Sequence, residues 1–201
     1  MAETVAIPTI GPAAAGTRMT LGEFAHVEGE PGHLYELEKG VILVVDIPGV
    51  PHMLVRQALR NALIQYQLKH PSRLFTVADG SDCALRMPEM QSERHPDLAV
   101  YLSPPPADEA QPWEDWVPDL VVEVVSKSSE ERDYLIKRDE YLKAGIRAYW
   151  IVDPQTRTAT VLARRTDTWR ETKLDAAGTL KSAVLPGLEI PLTQVFAAIP
   201  Q

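Results

Sequence analysis

Residues 117–154 read VPDLVVEVVSKSSEERDYLIKRDEYLKAGIRAYWIVDP, and they decide the fold. Leu120 to Val125 is an apolar run broken by one acid, Glu123, with four valines around it. A β-branched run of this kind predicts a strand buried on both faces. An ionised carboxylate without a partner is costly in such a place. Glu123 therefore sits at a solvent-facing strand end or is held there for a purpose. Ser126 to Ser129 predicts the turn into a helix over about 130–144, with Ser128 and Glu131 at capping-box spacing. Gly145 stands where helices commonly end. On a helical wheel of about 100° per residue, Tyr134, Leu135, Tyr141 and Leu142 form the apolar stripe. Lys137 lies on its flank, in the row Asp133, Lys137, Tyr141. Arg147 to Val152 predicts a second strand. Strand, crossover helix and strand make a parallel pair with a right-handed connection.

Outward from this unit the chain stays α/β. Thr20 to Glu23 is a capping box for a short helix. Residues 33–37 and 40–46 alternate as a hairpin, and His52 to Leu68 is a long helix with Val55, Leu59, Ala62, Leu63 and Tyr66 inward. Further strands are expected at 74–78, 83–86 and 95–102. A proline-rich acidic loop spans 103–118, a meander 158–163, 169–174 and 181–184, and a closing helix 192–199. Residues 1–17 read as a flexible N-terminal arm, and 18–201 as a single domain.

The chain has 201 residues, 20 basic and 28 acidic, for a net charge of −8. An acidic chain argues against broad, nonspecific nucleic-acid binding, which depends on Lys and Arg neutralising phosphates. The acid is local: 86–119 holds two basic residues and eight acids, whereas 127–147 holds six basic and five acidic residues. One cysteine, Cys83, excludes a disulfide framework and suits a reducing cytoplasm. No apolar stretch has membrane-spanning length.

Asp97, at the head of Leu-Ala-Val-Tyr, and Glu123 are acids set singly in apolar strands. Two such carboxylates on adjacent strands form a hard-oxygen site suited to Mg²⁺ or Mn²⁺. With a lysine nearby, that is a plan for phosphodiester hydrolysis. His52 at a helix start reads as an exposed cap-region residue, Tyr141 and Tyr149 as core, and Arg138 as a carboxylate partner.

The runs PDL at 96–98, DLVVEVVS at 119–126 and RDYLIKRDEYLKAGIRAYWIVDP at 132–154 together resemble the Uma-two family of the PD-(D/E)XK nuclease superfamily. YELEKG at 35–40 resembles that family's early hairpin. The resemblance implies a restriction-endonuclease-like core, a mixed central sheet flanked by helices. It puts Asp97 in the PD position and Glu123 in the (D/E) position, the two as metal ligands. The superfamily's usual lysine position, two residues on, is Val125 here. Lys137 matches the place on the following helix where the family often carries it, and Glu36 matches an early acid that joins the site. The implied activity is a Mg²⁺- or Mn²⁺-dependent endonuclease on nucleic acid, DNA before RNA, with a homodimer left open. Two other readings stay open: a noncatalytic nucleic-acid-binding or regulatory protein on this fold, and a hydrolase of a small phosphorylated substrate.

Overall fold

The computed structural model describes residues 7–45, 48–106 and 112–200. The chain forms two compact units, Met1–Ile47 with Arg86–His95, and Pro48–Leu85 with Pro96–Gln201. The sequence alone suggested one domain.

The first unit is built on the expected hairpin. Leu34–Glu38 pairs antiparallel with Val41–Val45. Lys39 and Gly40 turn it with φ of 49° and 75°. Two left-handed residues in succession match the right-handed twist of the flanking strands. Ser92–Arg94 and Leu85–Met87 extend this into a sheet of four strands. Leu21, Phe24, Tyr35, Leu37 and Ile42 fill its core, and the Thr20–Glu23 capping box starts its helix. Residues 9–17 are not a loose arm. Thr9–Ile10 pairs with Glu28–Gly29, and the Ile42 N–H donates to Thr17 O.

The second unit holds a six-stranded sheet. Its order is Thr168–Leu174, Thr158–Arg165, Ala148–Asp153, Leu120–Val124, Leu98–Tyr101, Thr76–Ala78. Leu120–Val124 and Ala148–Asp153 run parallel, as a crossover helix requires, and their neighbours are antiparallel. One face carries the large core. Leu98, Val100, Leu120, Val122, Val124, Trp150 and Val152 pack there against Val55, Leu59 and Leu63 of the helix Val50–Lys69. Alternation along the strands sends Val121, Glu123, Tyr149 and Ile151 to the other face.

The expected meander has two strands in the sheet. Its third stretch, Thr179–Ser182, folds instead onto Leu185–Pro191 as a separate hairpin. Pro186 and Gly187 hid that partner, because both residues punctuate a strand pattern. No helix among the described residues is long and apolar enough to cross a membrane.

Candidate active site

Glu123 is only 3% exposed, on the face opposite the large core. Its Oε1 accepts a hydrogen bond from the Tyr141 hydroxyl at 2.6 Å and lies 2.9 Å from the Lys137 ammonium. Lys137 also stands 3.3 Å from Asp133 Oδ1. The Ser129 hydroxyl donates to Asp133 Oδ2 at 2.6 Å. Beneath this cluster the Tyr149 hydroxyl donates to the Asp133 carbonyl at 2.8 Å, and its ring meets Tyr141 edge to face.

The helix that carries these groups is not regular. Arg132–Ile136 is a π-helical turn, in which the Lys137 N–H reaches back five residues to Arg132 O. Lys137–Lys143 continues as α-helix. One extra residue in a turn rotates everything N-terminal to it by about 100° relative to a regular wheel. The buried position therefore falls on Asp133, not on Tyr134. Leu135, expected in the apolar stripe, is 64% exposed, while Asp133, Lys137, Glu140 and Tyr141 are buried. The helix presents a polar face to the sheet. Single π-turns of this kind occur often at functional sites. Ser129 is spent on Asp133, and no Ser128–Glu131 capping box forms.

Asp97 arrives from the neighbouring strand. The pairing of Leu98 with Val122 and Ala99 with Val121 ends at Leu98, and Asp97 is the residue just before that strand. Asp97 Oδ2 accepts from the Val124 N–H at 2.8 Å and from His52 Nε2 at 3.0 Å. His52 is buried, contrary to its reading as an exposed cap residue. It stands at the third position of Val50–Lys69, three residues before Val55 on the inward stripe.

The two acids share a pattern. Each has one oxygen fixed: Asp97 Oδ2 by two donors, Glu123 Oε1 by Tyr141 and Lys137. The hydrogen bonds found to these two carboxylates among the described residues all fall on Asp97 Oδ2 and Glu123 Oε1. Hard carboxylate oxygens suit Mg²⁺ or Mn²⁺, and Mg²⁺ commonly keeps several waters and takes only one or two carboxylates. No group of three His, Cys, Asp or Glu side chains is gathered for a metal among the described residues. Two carboxylates leave most of a cation's shell to be filled by water.

Burial dominates the electrostatics. It pushes Glu123 up to about 8, with Asp133 and Asp97 adding to the rise and Lys137 and Tyr141 opposing it. Asp133 is raised too, first by burial, against Lys137 and Ser129.

Glu36 belongs to the other unit. Its Oε2 takes the buried Arg94 guanidinium at 3.0 Å, and its Oε1 accepts the His95 N–H. Arg94 bonds Glu38 as well. Arg138 does pair with a carboxylate, Glu171. Reasoning from the sequence missed Asp133, Ser129 and His52 as parts of this cluster. The row Asp133, Lys137, Tyr141 was the available signal for the first.

A family model described as "Uma2: Putative restriction endonuclease" matches residues 21–193. No curated protein matches. Among solved structures, a crystal structure titled as a putative nuclease belonging to DUF820 from Anabaena variabilis ATCC 29413 is similar, with a TM-score of 0.73. It is 18% identical, and the match covers 90% of this chain and 98% of that one. At that identity the likeness is one of fold.

Proposed function

Because this chain belongs to the Uma2 family of restriction-endonuclease-like proteins, we propose that it is a divalent-cation-dependent nuclease with its site at Asp97, Glu123 and Lys137. The observation that carries this reading is the matched pair of acids. Each takes its hydrogen bonds on one oxygen, Asp97 on Oδ2 and Glu123 on Oε1. Asp97 Oδ1 and Glu123 Oε2 would hold Mg²⁺ or Mn²⁺, and the bound cation would supply an acidified water and neutralise charge developing on phosphorus.

The chain's own groups do the rest. Tyr141 and Lys137 hold the Glu123 carboxylate in one orientation. Asp133 and Ser129 hold Lys137 in turn, so its ammonium is a fixed charge at the site and not a mobile surface head. A compact ammonium of this kind suits a phosphate oxygen or an attacking water. It fills the role that Val125 cannot. Glu123 must lose its proton to take a cation, so proton and metal compete for it.

Nucleic acid is the proposed substrate, with DNA assayed first. The test is Mn²⁺-dependent nicking of supercoiled plasmid, beside hydrolysis of a small phosphodiester and cleavage of RNA. Asp97→Asn and Glu123→Gln should each abolish plasmid cleavage. Activity that survives both substitutions, or is absent from the parent protein with every substrate, sinks the proposal.

A further inference from the structure

We infer that His52 is a positioning residue for Asp97: its Nε2 fixes Oδ2, so that Oδ1 is the oxygen left for a cation. The inference deepens the metal-site reading and rests on it for the cation.

Three observations carry it. His52 is 6% exposed, and its Nε2 stands 3.0 Å from Asp97 Oδ2, a bond that puts the ring proton on Nε2. The same oxygen accepts the Val124 N–H, the residue next to Glu123. The two donors come from separate elements, the first turn of Val50–Lys69 and the end of Leu120–Val124. The helix is held to the sheet by Val55, Leu59 and Leu63, which pack in the large core. Packing therefore fixes the imidazole, and the imidazole fixes the carboxylate. A single donor would let the carboxylate pivot about its other bond. Two donors on one oxygen hold the group's rotation and select which oxygen turns outward. Groups that orient metal ligands in this way commonly change metal affinity 10–100-fold when removed.

His52→Leu fills the space and removes the donor. His52→Gln places an amide nitrogen where Nε2 stands, and His52→Asn stops about one bond short. Two readouts apply: hydrogen exchange of the Val124 amide, which needs no metal, and calorimetric titration with Mn²⁺. With His52→Leu the Val124 amide should exchange at least about tenfold faster, while Val122 and Trp150 amides stay within about twofold. Mn²⁺ affinity should fall about tenfold or more. His52→Gln should keep both within about threefold of the parent. If the Leu variant fails to fold, the Gln and Asn variants decide, because only Gln reaches Asp97. Unchanged Val124 exchange in the Leu variant, or Gln and Asn variants that behave alike, would overturn the inference. A parent that takes up no Mn²⁺ while Val124 responds as expected refutes the metal reading and leaves the positioning of Asp97 standing.

Discussion

The Lys137 ammonium and Glu123 Oε1 meet at 2.9 Å from different elements, a helix and the strand before it, with both side chains buried. Neither charge has water to itself. An exposed pair of this kind is worth about 0–1 kcal/mol. A buried one behaves differently, because removing one partner strands the other.

Lys137→Met tests both sides of that pair. It leaves Glu123 and Asp133 without their shared cation. Breaking a buried pair typically costs roughly 3–5 kcal/mol, and we expect roughly 3 kcal/mol at pH 8. The loss should shrink at pH 5, where a carboxyl can take up a proton instead. Urea melts at the two pH values check this, and equal losses at both would contradict it. Plasmid cleavage should fall by about two powers of ten or more, the scale for losing one preorganised charge. Cleavage at the parent rate by the folded variant would remove Lys137 from the chemistry.

Glu123 sets a pH dependence in the parent protein. Its ordinary value is 4.5, and the folded protein raises it to about 8. Between those values the folded state keeps a proton that the unfolded chain has lost. Stability therefore falls as pH rises through that window, and Asp133, also raised, acts in the same direction. Relative to the parent, Glu123→Gln should gain stability as pH rises from 4 to 8. Stability curves of the two proteins across pH 4–8 read this directly. Parallel curves would mean that Glu123 titrates normally.

Much of this site was legible in the sequence, and the illegible part has a physical cause. Glu123 stood out because a lone acid in a valine run needs a reason. The parallel strands around the helix followed from the order of apolar runs. Asp97 comes near the Glu123 strand because Leu98, the next residue, pairs with Val122 and the Asp97 carboxylate takes the Val124 N–H. The inward face of the helix was misread at Tyr134 and Leu135, because a wheel assumes regular turns and the π-turn at Arg132–Ile136 inserts an extra residue. His52 was misread because its position at a helix start says nothing about what lies opposite. Only the fold brings Asp97 there, 45 residues later in the chain.

A divalent cation should stabilise the folded protein at neutral pH. It binds the folded state through Asp97 and Glu123, in competition with the proton that Glu123 holds. At a concentration of about 100 times its Kd, the gain is about 2.7 kcal/mol, a shift of several degrees in Tm. Calcium, a hard cation as well, should also stabilise. Asp97→Asn should remove the response. A Tm indifferent to millimolar Mg²⁺ and Mn²⁺ would count against the site.

Asp133→Asn isolates the residue that the π-turn carries inward. The substitution keeps the shape and the Ser129 contact but takes one negative charge from beside Lys137. Asp133 is one of the charges that raise Glu123, so its loss should let Glu123 ionise at a lower pH. Sign and consequence follow together. Glu123 ionised at lower pH means that proton and cation compete less, so the pH at which Mn²⁺ affinity is half its maximum should move down. The ammonium, released from Asp133, keeps Glu123 as an acidic partner, which pulls in the same direction. Against this, Lys137 loses the group that fixes it, so cleavage should fall even where cation binding improves. Mn²⁺ titrations from pH 5.5 to 8.5 and cleavage rates on the same samples separate the two effects. Tighter binding at low pH with slower cleavage identifies Asp133 as the group that positions Lys137. Unchanged binding and unchanged cleavage would make it a buried structural acid and nothing more.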